Sequence, residues 1–238
     1  ISSVPMLGRT RHNHMSKNKI KNKNMIQRSP SLLLPLLLSV LVLPVFAQSV
    51  QMGQGRDQKS IAMVRTDTPP IIDGVLDDAV WQKAAFIDEF HQIIPVEYAE
   101  PTERTEVYVL YDDNALYVGV MMYIDPALIT ANILKQNTTI FGSDDYFSIS
   151  FDSFNTQRGG YFFGVNPNGV RADGLYRNIS QFYADWDSIH SAKTSIVEDG
   201  WIAEFEIPFK SISFDPAKDT WGMNFSRRIQ SRNEQMVW

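Results

Sequence analysis

The chain has 238 residues, 44% hydrophobic and 21% charged, with a formal net charge of −5 and no cysteine. The missing thiol excludes disulfides, thiolate metal sites and a cysteine nucleophile, and the length leaves room for one sizeable apolar core. The acidic balance argues against nucleic acid or an anionic membrane as partner.

Lys17, Lys19, Lys21, Lys23 and Arg28 precede an apolar run from Leu32 to Phe46, broken by Pro35, Ser39 and Pro44. A membrane-spanning helix needs roughly 20 apolar residues, and this run is shorter. Val45, Phe46 and Ala47 follow at the positions a signal peptidase reads. Residues 1–47 are therefore expected to be a leader with a cleaved secretory signal, with Met25 as the start. The expected destination is the periplasm, the outer membrane or the cell exterior. All 27 acidic residues lie after Ala47, while seven of the 22 basic ones lie before it. Fifteen bases against 27 acids give the processed chain a charge of −12.

Residues 48–60 are polar, with Gly53 and Gly55, and read as a flexible linker. The folded domain is expected over 61–232. Ile71 and Ile72 read as a short strand, Asp73-Gly74 as a tight turn, and 77–85 as a helix capped by Asp77 with Trp81 inward. Residues 105–111 are rich in β-branched and aromatic types. Asp112-Asp113-Asn114 supplies a turn and 115–123 the partner strand. Both runs are apolar on both faces, which predicts central strands covered on each side. A second helix is expected over 126–134.

Residues 145–152 alternate with period two, and 160–166 form another strand, closed by Pro167-Asn168-Gly169. After Asp199-Gly200, residues 201–207 alternate again. Trp201, Ala203, Phe205 and Ile207 share one face, Ile202, Glu204 and Glu206 the other. One helical turn is expected at 209–212 and the last clear strand at 221–228. Residues 233–238 are assigned to the start of a following C-terminal region, where Met236-Val237-Trp238 reads as a strand beginning. Many short strands between turns predict one all-β domain, an antiparallel, jelly-roll-like β-sandwich with a few short helices.

The stretch from Ile71 to Trp81, the hairpin from Tyr108 to Val120 and the strand from Asp199 to Phe209 occur in an order that resembles the family 9 carbohydrate-binding modules. These belong to a wider DOMON-like β-sandwich group, and the resemblance covers about residues 71–228. It implies non-catalytic binding of a polysaccharide or oligosaccharide of the xylan type. Any glycosyl hydrolase activity would lie in another region or partner. Such sites work because a sugar has an apolar C–H face for an aromatic ring and a polar rim for planar hydrogen-bonding groups. The resemblance puts Phe141, before Ser143-Asp144-Asp145, where the family carries an indole. Gly164 stands where the family can carry arginine, and Trp238 is the late candidate for a second stacking ring.

Further ligand candidates are Tyr183 and Trp186 as rings, with Asp185 and Asn166 as polar partners; Trp186 equally fits a plug at one end of the sandwich. Trp81, Trp201 and Trp221 are expected in the core. Asp144, Asp145 and Asp152 are candidates for structural calcium, which takes hard oxygens, or for turns and strand ends. Glu204 and Glu206 read as the outer face of a half-exposed strand or as a carboxylate pair, and no catalytic residue is assigned.

Two alternatives stay open. Some DOMON-like sandwiches hold haem, for which Met121, Met122, Met223, His91 and His190 supply ligand atoms. The leader, the sandwich and the closing stretch rich in arginine and asparagine also resemble large bacterial exported proteins. There the module would cap an outer-membrane β-barrel within the same chain.

Overall fold

The computed structural model describes residues 59–136, 140–178 and 180–238. The expected leader and nearly all of the expected linker lie outside the described residues. Among the described residues thirteen strands run in chain order: β1 (Val64–Arg65), β2 (Ala85–Ile87), β3 (His91–Ile94), β4 (Thr105–Tyr111), β5 (Ala115–Tyr123), β6 (Tyr146–Asp152), β7 (Gly159–Val165), β8 (Arg171–Arg177), β9 (Gln181–Tyr183), β10 (Ser191–Val197), β11 (Gly200–Pro208), β12 (Gly222–Ile229) and β13 (Glu234–Val237). They form two sheets. A six-stranded sheet has the order β1-β4-β5-β11-β10, with β2 also on β4, and a seven-stranded sheet has β3-β13-β12-β6-β7-β8-β9. Among the described residues, only β1 and β4 pair in parallel. The expected all-β sandwich is what the chain forms.

Strand alternation builds the core. Trp201, Ala203, Phe205 and Ile207 of β11 are fully buried, facing Phe147, Ile149, Phe163 and Phe225 from the other sheet. Each phenylalanine or isoleucine among them contributes about 1.5–3 kcal/mol on burial. The covering of β4 and β5 on both faces is also as expected. Val107, Val109, Val118 and Val120 join the main core, while Leu110, Ala115 and Tyr117 pack with Trp81, Ile72 and Leu76 on the far side.

The segment that provides this second cover is not the expected helix. Ile71 and Ile72 form no strand, and 77–85 holds a single 3₁₀ turn, Trp81–Lys83, before β2 begins. No side chain caps that turn. Asp78 instead accepts the Ile71 N–H at 2.7 Å, and Asp73 turns back to accept the Val75 N–H at 3.0 Å. These local bonds compete with a helix too short to nucleate cheaply. The second expected helix is likewise one 3₁₀ turn, Pro126–Leu128, beyond which Ile129 is extended. The third, Phe209–Ser211, is a single turn as expected. Residues 233–238 are part of the sandwich: β13 pairs with β12 and β3, and Met236 is fully buried in the core.

One inward position on β12 is charged. Arg227 is fully buried and donates to Arg104 O at 2.8 Å, Thr105 Oγ1 at 3.0 Å and Tyr123 O at 2.8 Å. Burial pulls its pKa down to about 10, against the pull of Asp145. Asp145 is buried too, its carboxyl pushed up to about 6 by burial although Oδ1 accepts the Gln230 N–H at 2.8 Å.

Candidate functional site

The outer face of the seven-stranded sheet collects aromatic rings. Phe141, in the loop before β6, meets Tyr146 at 5.1 Å, Phe162 at 5.3 Å and Phe182 at 6.1 Å between centroids, all edge to face. Tyr176 joins them at 5.0 Å from Phe182. Two glycines let the rings approach the sheet. A Cβ on Gly174 would sit 2.5 Å from the Phe182 ring, and one on Gly164 3.1 Å from the Phe162 ring. Phe162 and Tyr146 are buried, whereas Phe141, Tyr176 and Phe182 remain half-exposed.

Polar groups edge this patch. In strand register Arg228 lies opposite Tyr146 and Gln235 opposite Arg228. Arg228 donates through Nε to Gln230 Oε1 at 3.2 Å and through Nη2 to Asn233 Oδ1 at 2.5 Å. Gln235 Nε2 donates to Ser226 Oγ at 3.1 Å, and Gln230 Nε2 to Gly142 O at 3.0 Å, beside Phe141. The guanidinium keeps N–H groups beyond those two bonds, and a planar fork suits paired hydroxyls.

The loop carrying Phe141 is held from beneath. Asp144 is fully buried; it accepts the N–H of Asn132 at 3.0 Å and of Ile133 at 2.9 Å, and the Asn166 amide at 2.8 Å. Asn166, also fully buried, accepts the N–H of Val170 at 2.8 Å and of Asn168 at 3.1 Å, and donates to Ile133 O at 2.9 Å. Asn166 thus braces a turn instead of reaching a ligand, correcting the expectation that it faces one.

The other ring candidates do not converge on Phe141. Trp186 packs inward, 5.2 Å from Tyr161 and 6.0 Å from Phe163. Phe162 and Phe163 are neighbours on β7 and face opposite sides, so Phe141 and Trp186 are separated by the sheet. Tyr183 is exposed under the Arg177 guanidinium, 4.7 Å from its ring centre, and Asp185 is exposed in the loop beyond β9. Trp238 lies on Phe225, a core ring, at 5.9 Å. Among the core candidates, Trp81 and Trp201 are buried, and Trp221 is half-buried, stacked on Phe151 at 5.6 Å.

The acidic candidates are also spent locally. Asp144 and Asp145 precede β6 and Asp152 ends it, roughly 20 Å away at the usual rise per residue. Asp152 accepts the N–H of Phe154 at 3.1 Å and of Thr156 and Gln157, both at 2.6 Å. The three therefore do not form one calcium site, and among the described residues no group of three or more His, Cys, Asp or Glu could hold a metal.

Glu204 departs most from expectation. It is fully buried beneath the 71–84 segment, where it accepts N–H bonds from Gly74 at 2.7 Å, Asp73 at 3.0 Å and the Trp81 indole at 3.0 Å. Burial raises its pKa despite these donors. It is a structural anchor, not half of an exposed carboxylate pair. Among the haem candidates, Met122 fills the core, His91 stacks on Tyr98 at 5.3 Å, and His190 lies edge-on to Phe163 at 5.0 Å.

A sheet face floored by aromatic rings and edged by a guanidinium and amides, held on an antiparallel sandwich, is the architecture of a ligand-binding β-sandwich module. Residues 72–236 match the family model described as carbohydrate family 9 binding domain-like, and the chain belongs to that family. Among solved structures, a family 9 carbohydrate-binding module from Caldicellulosiruptor kristjanssonii in complex with glucose is similar. It aligns at TM-score 0.51 and 19% identity, over 71% of this chain and 81% of that one. The same organism's module in complex with cellotriose aligns at TM-score 0.49 and 21% identity, over 73% and 80%. The glucose complex supports a common fold. No curated protein matches the chain.

Phe141 was legible in the sequence by its place before the acidic start of β6. Tyr146, Phe162, Phe182, Arg228 and Gln235 were not singled out. The usable signal was register: the outward positions of β6, β7 and β12 share one face of the sheet, with Tyr146 opposite Arg228 and Phe162 opposite Ser150.

Proposed function

We propose that this domain binds a carbohydrate without turning it over, on the outer face of the seven-stranded sheet. Phe141 is the stacking ring, and Arg228 and Gln235 are the hydrogen-bonding edge. The observation that carries this reading is the half-exposed aromatic patch around Phe141 with its guanidinium and amide rim. An aromatic face takes the C–H side of a pyranose, and the rim takes its hydroxyls. The family membership and the glucose and cellotriose bound by the similar modules support the ligand class.

The finer reading is a xylan-type polysaccharide bound outside the cytoplasm, with hydrolysis supplied by another domain or enzyme. Its location is supported by the basic lead and apolar run within 1–47. Titration of the full chain with xylo- and cello-oligosaccharides tests it. Saturable binding lost in Phe141→Ala supports the face; binding untouched by both Phe141→Ala and Arg228→Ala refutes it.

A further inference from the structure

The outward residues of the seven-stranded sheet fall in rows that run across its strands. Tyr146 of β6 lies opposite Arg228 of β12, Arg228 opposite Gln235 of β13, and Gln235 opposite Ile94 of the edge strand β3. In the next row Ser148 lies opposite Ser226, Ser226 opposite Val237, and Val237 opposite His91. Both rows lead from the strand that meets Phe141 to β3. Neighbouring strands lie about 4.8 Å apart, so the path from β6 to β3 covers roughly 14 Å, longer than one pyranose ring.

A second exposed ring stands at the far end. Tyr98, in the loop after β3, is 48% exposed and stacks on His91 at 5.3 Å with 19° between the ring planes. His91 shares the outward side with Val237, because Gln92, the next residue, is buried opposite Met236. The loop is fixed through Gln92. Its O accepts the Tyr98 N–H at 2.8 Å, its N–H donates to Ala99 O at 2.9 Å, and its side-chain amide donates to Glu100 O at 2.8 Å. Tyr98 is held at φ +66°, a conformation costly for a bulky residue and concentrated at functional sites. Between Phe141 and Tyr98 stand two short side chains, Ser226 and Val237, both half-buried, and two hydrogen-bonding ones, Gln235 and Arg228. Gln235 Nε2 donates to Ser226 Oγ at 3.1 Å and Tyr146 Oη at 3.4 Å, which leaves Oε1 to accept. Arg228 keeps donors beyond its bonds to Gln230 and Asn233.

We propose that the carbohydrate site runs from Phe141 across β12 and β13 to Tyr98, and that it takes an oligosaccharide several units long in place of a single terminal sugar. Phe141 stacks on one unit, Tyr98 stacks on another, and Arg228 and Gln235 bind hydroxyls between them. This extension rests on the carbohydrate reading of the Phe141 face. Single exposed aromatics are ordinary. Tyr98 differs in being fixed against a second ring, at the end of a row that reaches the aromatic patch through hydrogen-bonding groups.

The test titrates the full chain by calorimetry with disaccharides and tetrasaccharides of the xylo and cello series, for the parent, Tyr98→Ala, Tyr98→Phe and Phe141→Ala. The parent should bind a tetrasaccharide about tenfold or more tightly than the matching disaccharide. Tyr98→Ala should remove that gain and leave disaccharide affinity unchanged. Tyr98→Phe should keep the gain, and Phe141→Ala should weaken both sugars. Tyr98 is exposed, so its variants are expected to fold, which a thermal melt checks. Equal affinity for the two lengths, or a gain that survives Tyr98→Ala, overturns the extension; the Phe141 reading then stands if Phe141→Ala still weakens binding. A gain that needs Tyr98 but ignores Phe141→Ala overturns the continuous site and the Phe141 reading together, as does no binding of any of these sugars.

Discussion

Trp81 and Glu204 lie 123 positions apart in the chain and meet at 3.0 Å, the indole N–H donating to a carboxylate that is fully buried. That bond ties the 71–84 segment to the six-stranded sheet. Gly74 reaches the same carboxylate only because its backbone sits at φ +95°, a region open to glycine. Trp81→Phe keeps most of the ring volume and removes the donor. It is expected to cost about 1.5–3 kcal/mol, read from chemical denaturation with an unchanged m-value. A variant as stable as the parent would show that the anchor carries nothing.

Asp145 gives stability a pH dependence of definite sign. Its folded pKa of about 6 lies above the ordinary 3.8, so folding favours the protonated carboxyl. Its contribution is fully present below about pH 4 and is lost as pH rises through about 6. Relative to Asp145→Asn, the parent should lose up to about 3 kcal/mol between pH 4 and 8. His190, whose pKa burial lowers, acts in the opposite sense, so the difference between the two proteins is the readout. Parallel stability curves would contradict the assignment.

Asn166 and Asp144 support the loop that carries Phe141. Asn166→Ala strands two backbone N–H groups and removes one of the two bonds to Asp144 Oδ2. It should lower stability by about 2–3 kcal/mol and weaken carbohydrate binding through the displaced Phe141. Asn166→Asp does not rescue, because it sets a second carboxylate against Asp144. Unchanged carbohydrate affinity in a folded Asn166→Ala protein would separate the loop from the site.

Trp186 and Phe141 should behave oppositely. Trp186→Ala opens the end of the core beside Tyr161 and Phe163 and is expected to cost roughly 2–3 kcal/mol in a thermal or denaturant melt, while leaving carbohydrate affinity intact. Phe141→Ala should lower affinity more than stability. Loss of binding in Trp186→Ala at full stability would contradict their placement on opposite faces of the sheet.

The strands that the sequence reveals are those with the strongest chemical pattern. β4, β5, β6, β7, β11 and β12 are dense in aromatic and β-branched residues, and their observed bounds fall within one or two residues of expectation. β8, β9 and β10 escape it because their sequences, RADGLYR, QFY and SAKTSIV, include only Ala192 and Gly174 as buried residues. Without a buried face there is no alternation to read. The helix over 77–85 was over-read because Asp77 looks like a capping residue, whereas Asp73 and Asp78 on either side of it make loop bonds. Glu204 was misplaced for a related reason: alternation gives its face correctly but cannot show that a distant segment covers that face. The aromatic patch needed strand register, which pairs residues far apart in the chain.

The most direct test is a titration of the full chain with xylo- and cello-oligosaccharides, followed by calorimetry and tryptophan fluorescence, for the parent, Phe141→Ala and Trp186→Ala. Saturable binding without hydrolysis, lost in Phe141→Ala and kept in Trp186→Ala, is the predicted result. Binding that survives in Phe141→Ala, or no binding to any oligosaccharide by the folded parent, would contradict it.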